Sequence, residues 1–276
     1  MRKICKIEDA IKVGKTFKYN WYRGHSSTFN SLQPRIFREE FFSQGHKALA
    51  PDTEFQFVYD FKRIAPSLSS DLPGQKSNLE WLILMQHYGT PTRLLDWSES
   101  ILVALFFAVN DKPNDDGELW SIFPQELNKL SRIEGYPQQN HSYLKYLSED
   151  PLTDDKNKLK EDLGIAEAPN FPIGFYPTLR YPRMNAQHSV FTIHPEPLVE
   201  KDIVSILKNN ERHLYRYIIP EEAKLNILEE LNSLGICYRT LFVDLDNLSK
   251  DLIRKYKNPA WSCWGQPDQP NFNSIF

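Results

Sequence analysis

One stretch, residues 77–109, constrains the fold most, because its capping and turn residues divide it into separate elements. Ser77 and Glu80 have the spacing of a capping box, in which a hydroxyl and a carboxylate satisfy free backbone N–H groups at a helix start. Gly89 can adopt the left-handed conformation that ends a helix, and Pro91 prevents its continuation. The stretch therefore predicts a helix that begins near residue 78 and ends just before Gly89.

A short apolar run over 93–97 follows and predicts a buried strand. Ser98 is then placed to cap a second helix, whose inner face includes Ile101 and Leu105. Further strands are predicted at 17–22, 118–123, 187–194 and 214–219. Helices and strands do not alternate regularly as βαβ units. The pattern therefore favours an α+β fold over a doubly wound sheet.

The chain is predicted to form a single domain over 1–276. The segment at about 135–172 is polar and has little periodicity, so we interpret it as an elaborated surface insertion. Residues from about 220 to 276 form a helical and aromatic extension, in which the helix at 245–256 has one apolar stripe. The tail beyond that helix contains Trp261 and Trp264 and is expected to pack as an irregular arm.

Composition narrows the class of protein. Hydrophobic residues make up 41% and charged residues 25%, an ordinary globular balance with a net charge of −3. A net charge of −3 does not by itself indicate a nucleic-acid-binding protein, which typically has an excess of positive charge. The three cysteines lack CxxC pairing, which is typical of a reducing compartment. The most apolar run, Ile101–Val109, is too short to cross a bilayer. We expect a soluble, cytoplasmic protein that does not bind membranes.

The first candidate site residues are Arg23 and Gly24, at the end of a predicted strand after an aromatic pair. A guanidinium beside a glycine lies where backbone can approach closely, which suits bidentate capture of a phosphate or carboxylate. Alternatively, Arg23 pairs with a buried structural carboxylate. The residues alone leave both interpretations open.

The second candidate is the segment 86–97, which combines an imidazole, a phenol, a hydroxyl, a guanidinium and a carboxylate. His87 ends a helix, where the helix dipole is expected to stabilise its cationic form. We predict that His87, Tyr88 and Thr92 face a ligand and that Trp97 offers a stacking surface. The alternative is that His87 has only a structural role and caps the helix.

Arg93 and Asp96 belong to the same segment, but flanking leucines suggest that they are buried. Buried charges persist only when paired, so the preferred interpretation is an Arg93–Asp96 ion pair that holds the sheet. Both residues nevertheless stay candidates for ligand contact or catalysis.

Gln187 is the third candidate, because it opens a predicted strand with polar residues at alternate positions. Alone it is weak evidence, since a polar residue at a strand start is usually a hydrogen-bonded edge residue. No His, Cys, Asp and Glu set has metal-ligand spacing, and no metal is predicted. GxSxG, P-loop and GxGxxG motifs are absent from the sequence.

Together these blocks resemble the FRG domain, named for an aromatic-Arg-Gly motif. Residues 22–24 are similar to that motif, and 86–97 with 104–108 resemble the central block of the family. Arg183 and 187–191 resemble a later block, so that the similarity covers roughly 5–200. Members occur in bacteria and phages. The resemblance therefore implies a cytoplasmic protein and suggests a toxin or phage-defence context.

A weaker resemblance connects the chain with ADP-ribosyltransferases of the Arg-Ser-Glu type. It implies a mixed, partly split β-sheet flanked by helices, with NAD as the substrate. Arg23 resembles the arginine that grips NAD phosphate, and Thr92 or Ser98 the small hydroxyl residue. Gln187 stands where the catalytic glutamate is expected, and a glutamine cannot supply negative charge to the transition state. Asp96 or Glu99 could provide a carboxylate instead.

Three hypotheses follow. The chain transfers ADP-ribose to a protein or nucleic-acid acceptor or hydrolyses NAD; or it binds a small nucleotide or a nucleic acid without turnover; or its polar blocks are a buried structural network. For the first, the predicted catalytic residues are Arg23, His87, Asp96 and Gln187. The predicted ligand-binding residues are Arg23, Gly24, His87, Tyr88, Thr92, Arg93 and Trp97.

Overall fold

A computed structural model describes residues 2–29, 31–38, 51–149, 156–195, 202–207 and 213–257. In these residues a mixed β-sheet is flanked by helices, which confirms the predicted α+β class. The strands are β1 (Arg2–Lys3), β2 (Trp21–His25), β3 (Leu94–Ser98), β4 (Gly117–Ile122), β5 (Ile173–Phe175), β6 (Ser189–Ile193) and β7 (Leu214–Ile219).

The helices alternate irregularly with these strands. They are α1 (Ile7–Thr16), α2 (Pro51–Ile64), α3 (Asn78–His87), α4 (Ile101–Val109), α5 (Pro124–Leu130), α6 (Ser142–Ser148), α7 (Lys156–Asp162), α8 (Pro182–Ala186), α9 (Ile203–Leu207), α10 (Glu221–Ser233), α11 (Tyr238–Leu241) and α12 (Leu245–Lys257). Short 3-10 turns lie at Arg35–Phe37 and Ala65–Ser67.

The seven strands form one sheet in the order β1-β7-β4-β2-β3-β6-β5. β1 is parallel to β7, and the other pairs are antiparallel. β2 pairs with β4 along its whole length, from Trp21 to His25. It pairs with β3 only at Tyr22 and Ser98. The predicted split is therefore limited to a seam between β2 and β3 within one sheet, and the likeness to ADP-ribosyltransferases stays a prediction.

Side-chain alternation along the strands builds separate cores on the two faces of the sheet. Tyr22 packs with α1, α4 and α10 on one face, and α3 covers the other half of that same face beside Leu94. The opposite face carries Trp21, Trp97 and Trp120. The strands β2 and β3 therefore bury different side chains on their two faces: Tyr22 and Leu94 on one, Trp21 and Trp97 on the other.

Gly24 lies where α4 crosses β2. A Cβ atom at this position would come within 1.8 Å of the Ala104 carbonyl oxygen and 2.7 Å of the Ala108 amide nitrogen. Only a residue without a side chain allows the helix and the strand to approach this closely. Gly24 is thus required for packing inside the protein, and the backbone that approaches it belongs to α4.

The stretch 77–109 folds as helix, strand and helix, as predicted. Gly89 has φ of +83° just beyond α3, which agrees with its predicted role in ending the helix. Two details were wrong. The Ser77 side chain makes no capping hydrogen bond to α3. Ser98 is the last residue of β3, and it is the Ser100 hydroxyl that accepts a hydrogen bond from the Val103 N–H at the start of α4.

The two segments predicted as additions contribute differently. Within 135–172, the α6 residues Leu144 and Leu147 are buried next to Trp81, so this part of the segment joins the core. In α12 the apolar stripe is present but faces outward: Leu245 is 79% and Tyr256 81% exposed. The polar residues Asn247 and Asp251 are the buried ones. Trp261 and Trp264 lie outside the described residues.

Lys224 of α10 is buried and holds two loops together. Its ammonium group donates to the carbonyl oxygens of Ser26 at 2.7 Å, Asp111 at 3.1 Å and Lys112 at 2.8 Å. Burial lowers the pKa of this amine, and the nearby Asp115 charge opposes that shift. Three donors meet three acceptors, so the buried charge is fully hydrogen-bonded.

We expect Lys224→Met to lower the free energy of unfolding by about 2 kcal/mol, because it leaves three carbonyl groups without their donor. Urea unfolding followed by tryptophan fluorescence measures the change. Lys12→Met is the matched control, since Lys12 is 73% exposed and a change of about 0.5 kcal/mol or less is expected there. Equal losses in the two variants would contradict the assigned role of Lys224.

Candidate functional site

Arg23 bridges β2 and β3 at the point where their backbone pairing stops. Its Nη1 donates to the Asp96 carbonyl oxygen at 2.6 Å, and its Nε donates to Nε2 of His25 at 2.8 Å. In the described part of the chain, no hydrogen bond engages its Nη2. Only 16% of the side chain is exposed. One edge of a largely buried guanidinium thus stays available at the seam.

The charge of Arg23 is poorly compensated. The Asp96 carboxylate oxygen Oδ2 lies 3.8 Å from Nη1, beyond ordinary hydrogen-bond length. Burial lowers the pKa of Arg23 to about 10; Asp96 opposes this shift and the charge of Arg38 adds to it. The guanidinium stays protonated at neutral pH, but its environment disfavours its charge.

His25 and Glu118 support Arg23 from the same face of the sheet. His25 Nδ1 and Glu118 Oε1 are 2.8 Å apart, and Glu118 Oε2 accepts from Arg216 Nε at 2.7 Å. The Phe29 amide also donates to Glu118, at 3.0 Å. Glu118 is fully buried. Burial acts to raise its pKa, but the hydrogen bond from His25 and other donors outweigh burial, and the net shift is downward.

Asp96 is half-exposed and lies between Arg23 and Gln86. The Gln86 amide Nε2 donates to Asp96 Oδ2 at 2.6 Å, and Gln86 Oε1 accepts from the Thr92 hydroxyl at 2.7 Å. Thr92 itself is fully buried and also accepts from the Leu94 amide. It orients Gln86, and it does not face a ligand as predicted, because no part of it is exposed.

Arg93 is ion-paired, as predicted, but the predicted pair with Asp96 is wrong. Arg93 also lines a cavity of about 460 Å³ beside α2, so its predicted ligand contact stays a prediction. Arg93 forms an ion pair with Glu54 of α2, in which Nε and Nη2 both donate to Oε2, and the Arg93 backbone N–H donates to Oε1 at 3.1 Å. Its Nη1 donates to the carbonyl oxygens of Leu147 and Pro195. Residues three apart on a strand point to opposite faces, so Arg93 and Asp96 are directed away from each other.

His87 ends α3, as predicted, and its ring stacks on Tyr181 with centroids 4.9 Å apart. Burial lowers its pKa, and the charge of Arg183 lowers it further. The charge of Asp244 opposes these effects, and the net shift of the pKa is downward. The expected stabilisation of the cation by the helix dipole stays a prediction. The Tyr88 ring meets the His87 ring edge-on, with centroids 5.0 Å apart, but the residue is 69% exposed and lines a separate apolar groove of about 740 Å³ with Leu68.

Gln187 lies at the C-terminal end of α8, two residues before β6 begins at Ser189. It does not open the strand as predicted, because the chain turns at His188, which has φ of +47°. The Gln187 amide donates to the Leu241 carbonyl oxygen at 3.1 Å. Its backbone carbonyl accepts from the Ser98 hydroxyl at 2.8 Å.

Three of the four predicted catalytic residues, His87, Asp96 and Gln187, line one small cavity between α3 and α8. Its volume is about 30 Å³, enough for a water molecule but far below the few hundred Å³ of ordinary ligand pockets. Arg23 contacts the edge of this cavity through Asp96. The predicted stacking face of Trp97 is closed, because the residue is only 3% exposed and its indole donates to Thr192.

The sequence interpretation missed His25, Glu118, Gln86 and Glu54. His25 carried a readable signal, since it lies two residues after Arg23 and so shares its face of the strand. Glu118 and Glu54 carried none, because they reach His25 and Arg93 from distant parts of the chain.

Among the residues described, no group of three or more His, Cys, Asp or Glu side chains is arranged to hold a metal ion. No helix in the same part of the chain has the length and apolarity needed to cross a membrane.

The fold and the site define an α+β domain in which an arginine after an aromatic residue bridges a seam in a mixed sheet. The family model of the FRG domain matches residues 18–117, which include β2, α3, β3 and α4, and the chain is an FRG domain-containing protein. The later block, with Arg183 and Gln187, lies outside the matched residues. Neither the curated proteins nor the solved structures contain a match to this chain.

Proposed function

We propose that this FRG domain binds the phosphate groups of a nucleotide, with NAD as the first candidate, through Arg23 at the seam between β2 and β3. The observation that carries the proposal is a largely buried guanidinium whose Nη2 edge makes no hydrogen bond to a described residue. A buried charge costs free energy unless an opposite charge meets it within hydrogen-bond distance. A phosphate oxygen supplies that partner.

Positive charge around the seam supports an anionic ligand. The Arg38 charge lowers the pKa of both Arg23 and His25, so two guanidinium groups act on the same region. An anion bound among like charges is stabilised by each of them.

Calorimetric titration with NAD, ADP-ribose, ADP and inorganic pyrophosphate tests the proposal. We expect Arg23→Ala to weaken binding about tenfold to a hundredfold, the cost of a lost charge-assisted contact. Arg23→Lys should fall between, because it keeps the charge but not the planar fork. Arg63→Ala is the control, since Arg63 is 59% exposed and pairs with Asp60 on α2.

Two results would contradict the proposal: no binding of any of the four compounds by the wild type, or equal binding by Arg23→Ala and wild type. Single-stranded nucleic acid also carries phosphate groups, so it should be titrated alongside the four compounds. Its binding should fall steeply as salt rises if phosphate contacts dominate.

A second candidate function is turnover, either ADP-ribosyl transfer or hydrolysis of NAD, as in a toxin or a phage-defence protein. Asp96 favours it, because this half-exposed carboxylate stands 3.8 Å from the Arg23 guanidinium. Negative charge next to a phosphate grip can stabilise positive charge that develops at the anomeric carbon. Gln187 lacks that charge. Glu99 is the other carboxylate considered, and it accepts from the Tyr176 hydroxyl at 3.0 Å.

Release of nicotinamide from NAD distinguishes turnover from binding alone. Asp96→Asn is expected to abolish release while binding of NAD persists, since the amide oxygen can still accept from Gln86. No release by the wild type would leave the binding function alone. Release that survives in Asp96→Asn but is lost in Glu99→Gln would move the catalytic role to Glu99.

A further inference from the structure

A row of four polar side chains crosses three neighbouring strands on one face of the sheet. Arg23 and His25 belong to β2, Glu118 to β4 and Arg216 to β7. Successive contacts measure 2.8 Å from Arg23 to His25, 2.8 Å from His25 to Glu118 and 2.7 Å from Arg216 to Glu118. His25 and Glu118 are also direct partners in the strand register, so the backbone holds them opposite each other.

The chemistry of the neighbours fixes the tautomer of His25. The Nε–H of an arginine can only donate, so Nε2 of His25 must offer a lone pair. An ionised carboxylate can only accept a hydrogen bond, so Nδ1 must carry a proton and donate to Glu118. Protonation of Nε2 would set two donors against each other. The contacts therefore require a neutral ring with its proton on Nδ1.

We propose that Glu118 and His25 are positioning residues, which hold the Arg23 guanidinium so that its Nη2 edge faces a phosphate at the seam; the inference rests on the proposed function. Arginine has many rotamers, and freezing one on binding costs free energy. A guanidinium held in advance by His25 and by the Asp96 carbonyl avoids that cost.

Burial keeps the His25 ring neutral, and it is the largest effect on its pKa. The hydrogen bond and the charge of Glu118 oppose burial, whereas the charges of Arg23, on the same strand, and of Arg38, after the Arg35–Phe37 turn, add to it. The net result lowers the pKa of His25 to about 4. Phe29 packs edge-on against the ring with centroids 5.2 Å apart, which restricts its rotation. The acceptor for Arg23 therefore persists across the neutral range.

Two substitutions of His25 separate its two hydrogen bonds. In His25→Asn the amide nitrogen can replace Nδ1 as donor to Glu118, but nothing accepts from Arg23. In His25→Gln the amide oxygen can take the place of Nε2 and accept from Arg23. With inorganic pyrophosphate as the probe, we expect His25→Asn to bind about tenfold more weakly than wild type, as for one lost charge-assisted hydrogen bond. His25→Gln should recover at least about threefold of that loss.

Nitrogen-15 NMR of the side chains supplies a second readout, which a purely structural role would not move. The wild-type His25 ring should carry its proton on Nδ1 at neutral pH, and the Arg23 Hε should exchange slowly with water. In His25→Asn that Hε should exchange faster. A proton on Nε2, or an Arg23 Hε that exchanges equally in both proteins, would overturn the proposal.

The outcomes separate the two hypotheses. If wild type does not bind pyrophosphate or any of the nucleotides, the proposed function is wrong, and the role of His25 in phosphate binding falls with it. If wild type binds and His25→Asn binds equally well, the proposed function stands and only the positioning role is wrong. Loss in His25→Asn with recovery in His25→Gln supports both.

Discussion

Gly24→Ala is expected to lower the free energy of unfolding by about 3–5 kcal/mol, enough to unfold much of the protein. The new Cβ atom would lie 1.8 Å from the Ala104 carbonyl oxygen and 2.9 Å from its carbonyl carbon. Both are backbone atoms of α4, so no side-chain rotation can relieve the clash. The helix must move away from β2, and core contacts around Tyr22 are lost with it. Chemical denaturation, or the soluble yield where the variant fails to fold, measures the effect.

Two other glycines serve as controls. Gly74→Ala would place its Cβ 3.5 Å from the Ser77 hydroxyl, an ordinary contact, so a change of about 0.5 kcal/mol or less is expected. Gly89→Ala meets open space but has φ of +83°, which predicts a loss of about 1 kcal/mol. If Gly24→Ala cost no more than Gly89→Ala, the glycine of the aromatic-Arg-Gly motif would not be needed for packing.

Acid should destabilise the protein through two buried neutral histidines. Burial, with smaller effects of nearby arginines, lowers the pKa of His194 to about 3, and His25 is lowered to about 4. The ordinary value in the unfolded chain is 6.5. Below pH 6.5 both histidines become protonated in the unfolded chain but stay neutral in the folded chain. Stability is therefore fully present above pH 6.5 and declines as the pH falls towards 4.

Each histidine can contribute at most about 1.4 kcal/mol per pH unit, so we expect a slope of roughly 2–3 kcal/mol per unit between about pH 5 and 6. Urea unfolding at a series of pH values measures it. His25→Asn and His194→Asn should each remove about half of the slope. A free energy of unfolding that is flat over this range, or slopes unchanged in both variants, would contradict the burial of neutral rings.

The path of the chain through residues 77–109 was largely predictable, whereas the strand predicted at 17–22 is found at Trp21–His25. Local signals that lie within a few residues of each other, such as Gly89 with Pro91, place the ends of the helix and strand in the stretch 77–109. Such signals act through the conformations that single residues allow, so they need no knowledge of distant partners. The Ser77 cap failed for a different reason, since a hydroxyl at the right spacing still needs the right rotamer.

The partners of the charged residues were not predictable. Arg93 was expected to pair with a carboxylate, and it does, but that carboxylate belongs to Glu54, far away along the chain. The sequence showed an apolar stripe on α12, but Leu245 of that stripe is exposed and the buried residues are Asn247 and Asp251. Periodicity shows that a helix has two faces, but which face is covered depends on the surface that receives it.

Gly24 and Arg23 show how the sequence and the tertiary structure each contribute to the site. The aromatic-Arg-Gly sequence was predicted to end a strand at 17–22, but Arg23 and Gly24 lie inside β2 (Trp21–His25). The residue types still indicated close backbone approach and binding of an anion, because glycine has no side chain and a guanidinium has a fixed fork of donors. Packing assigned the approaching backbone to α4 and turned the fork towards His25 and the Asp96 carbonyl, leaving one edge at the seam. Residue chemistry sets what a side chain can bind. Contacts between distant segments set what is left for it to bind, because they arise only when strands and helices are brought together.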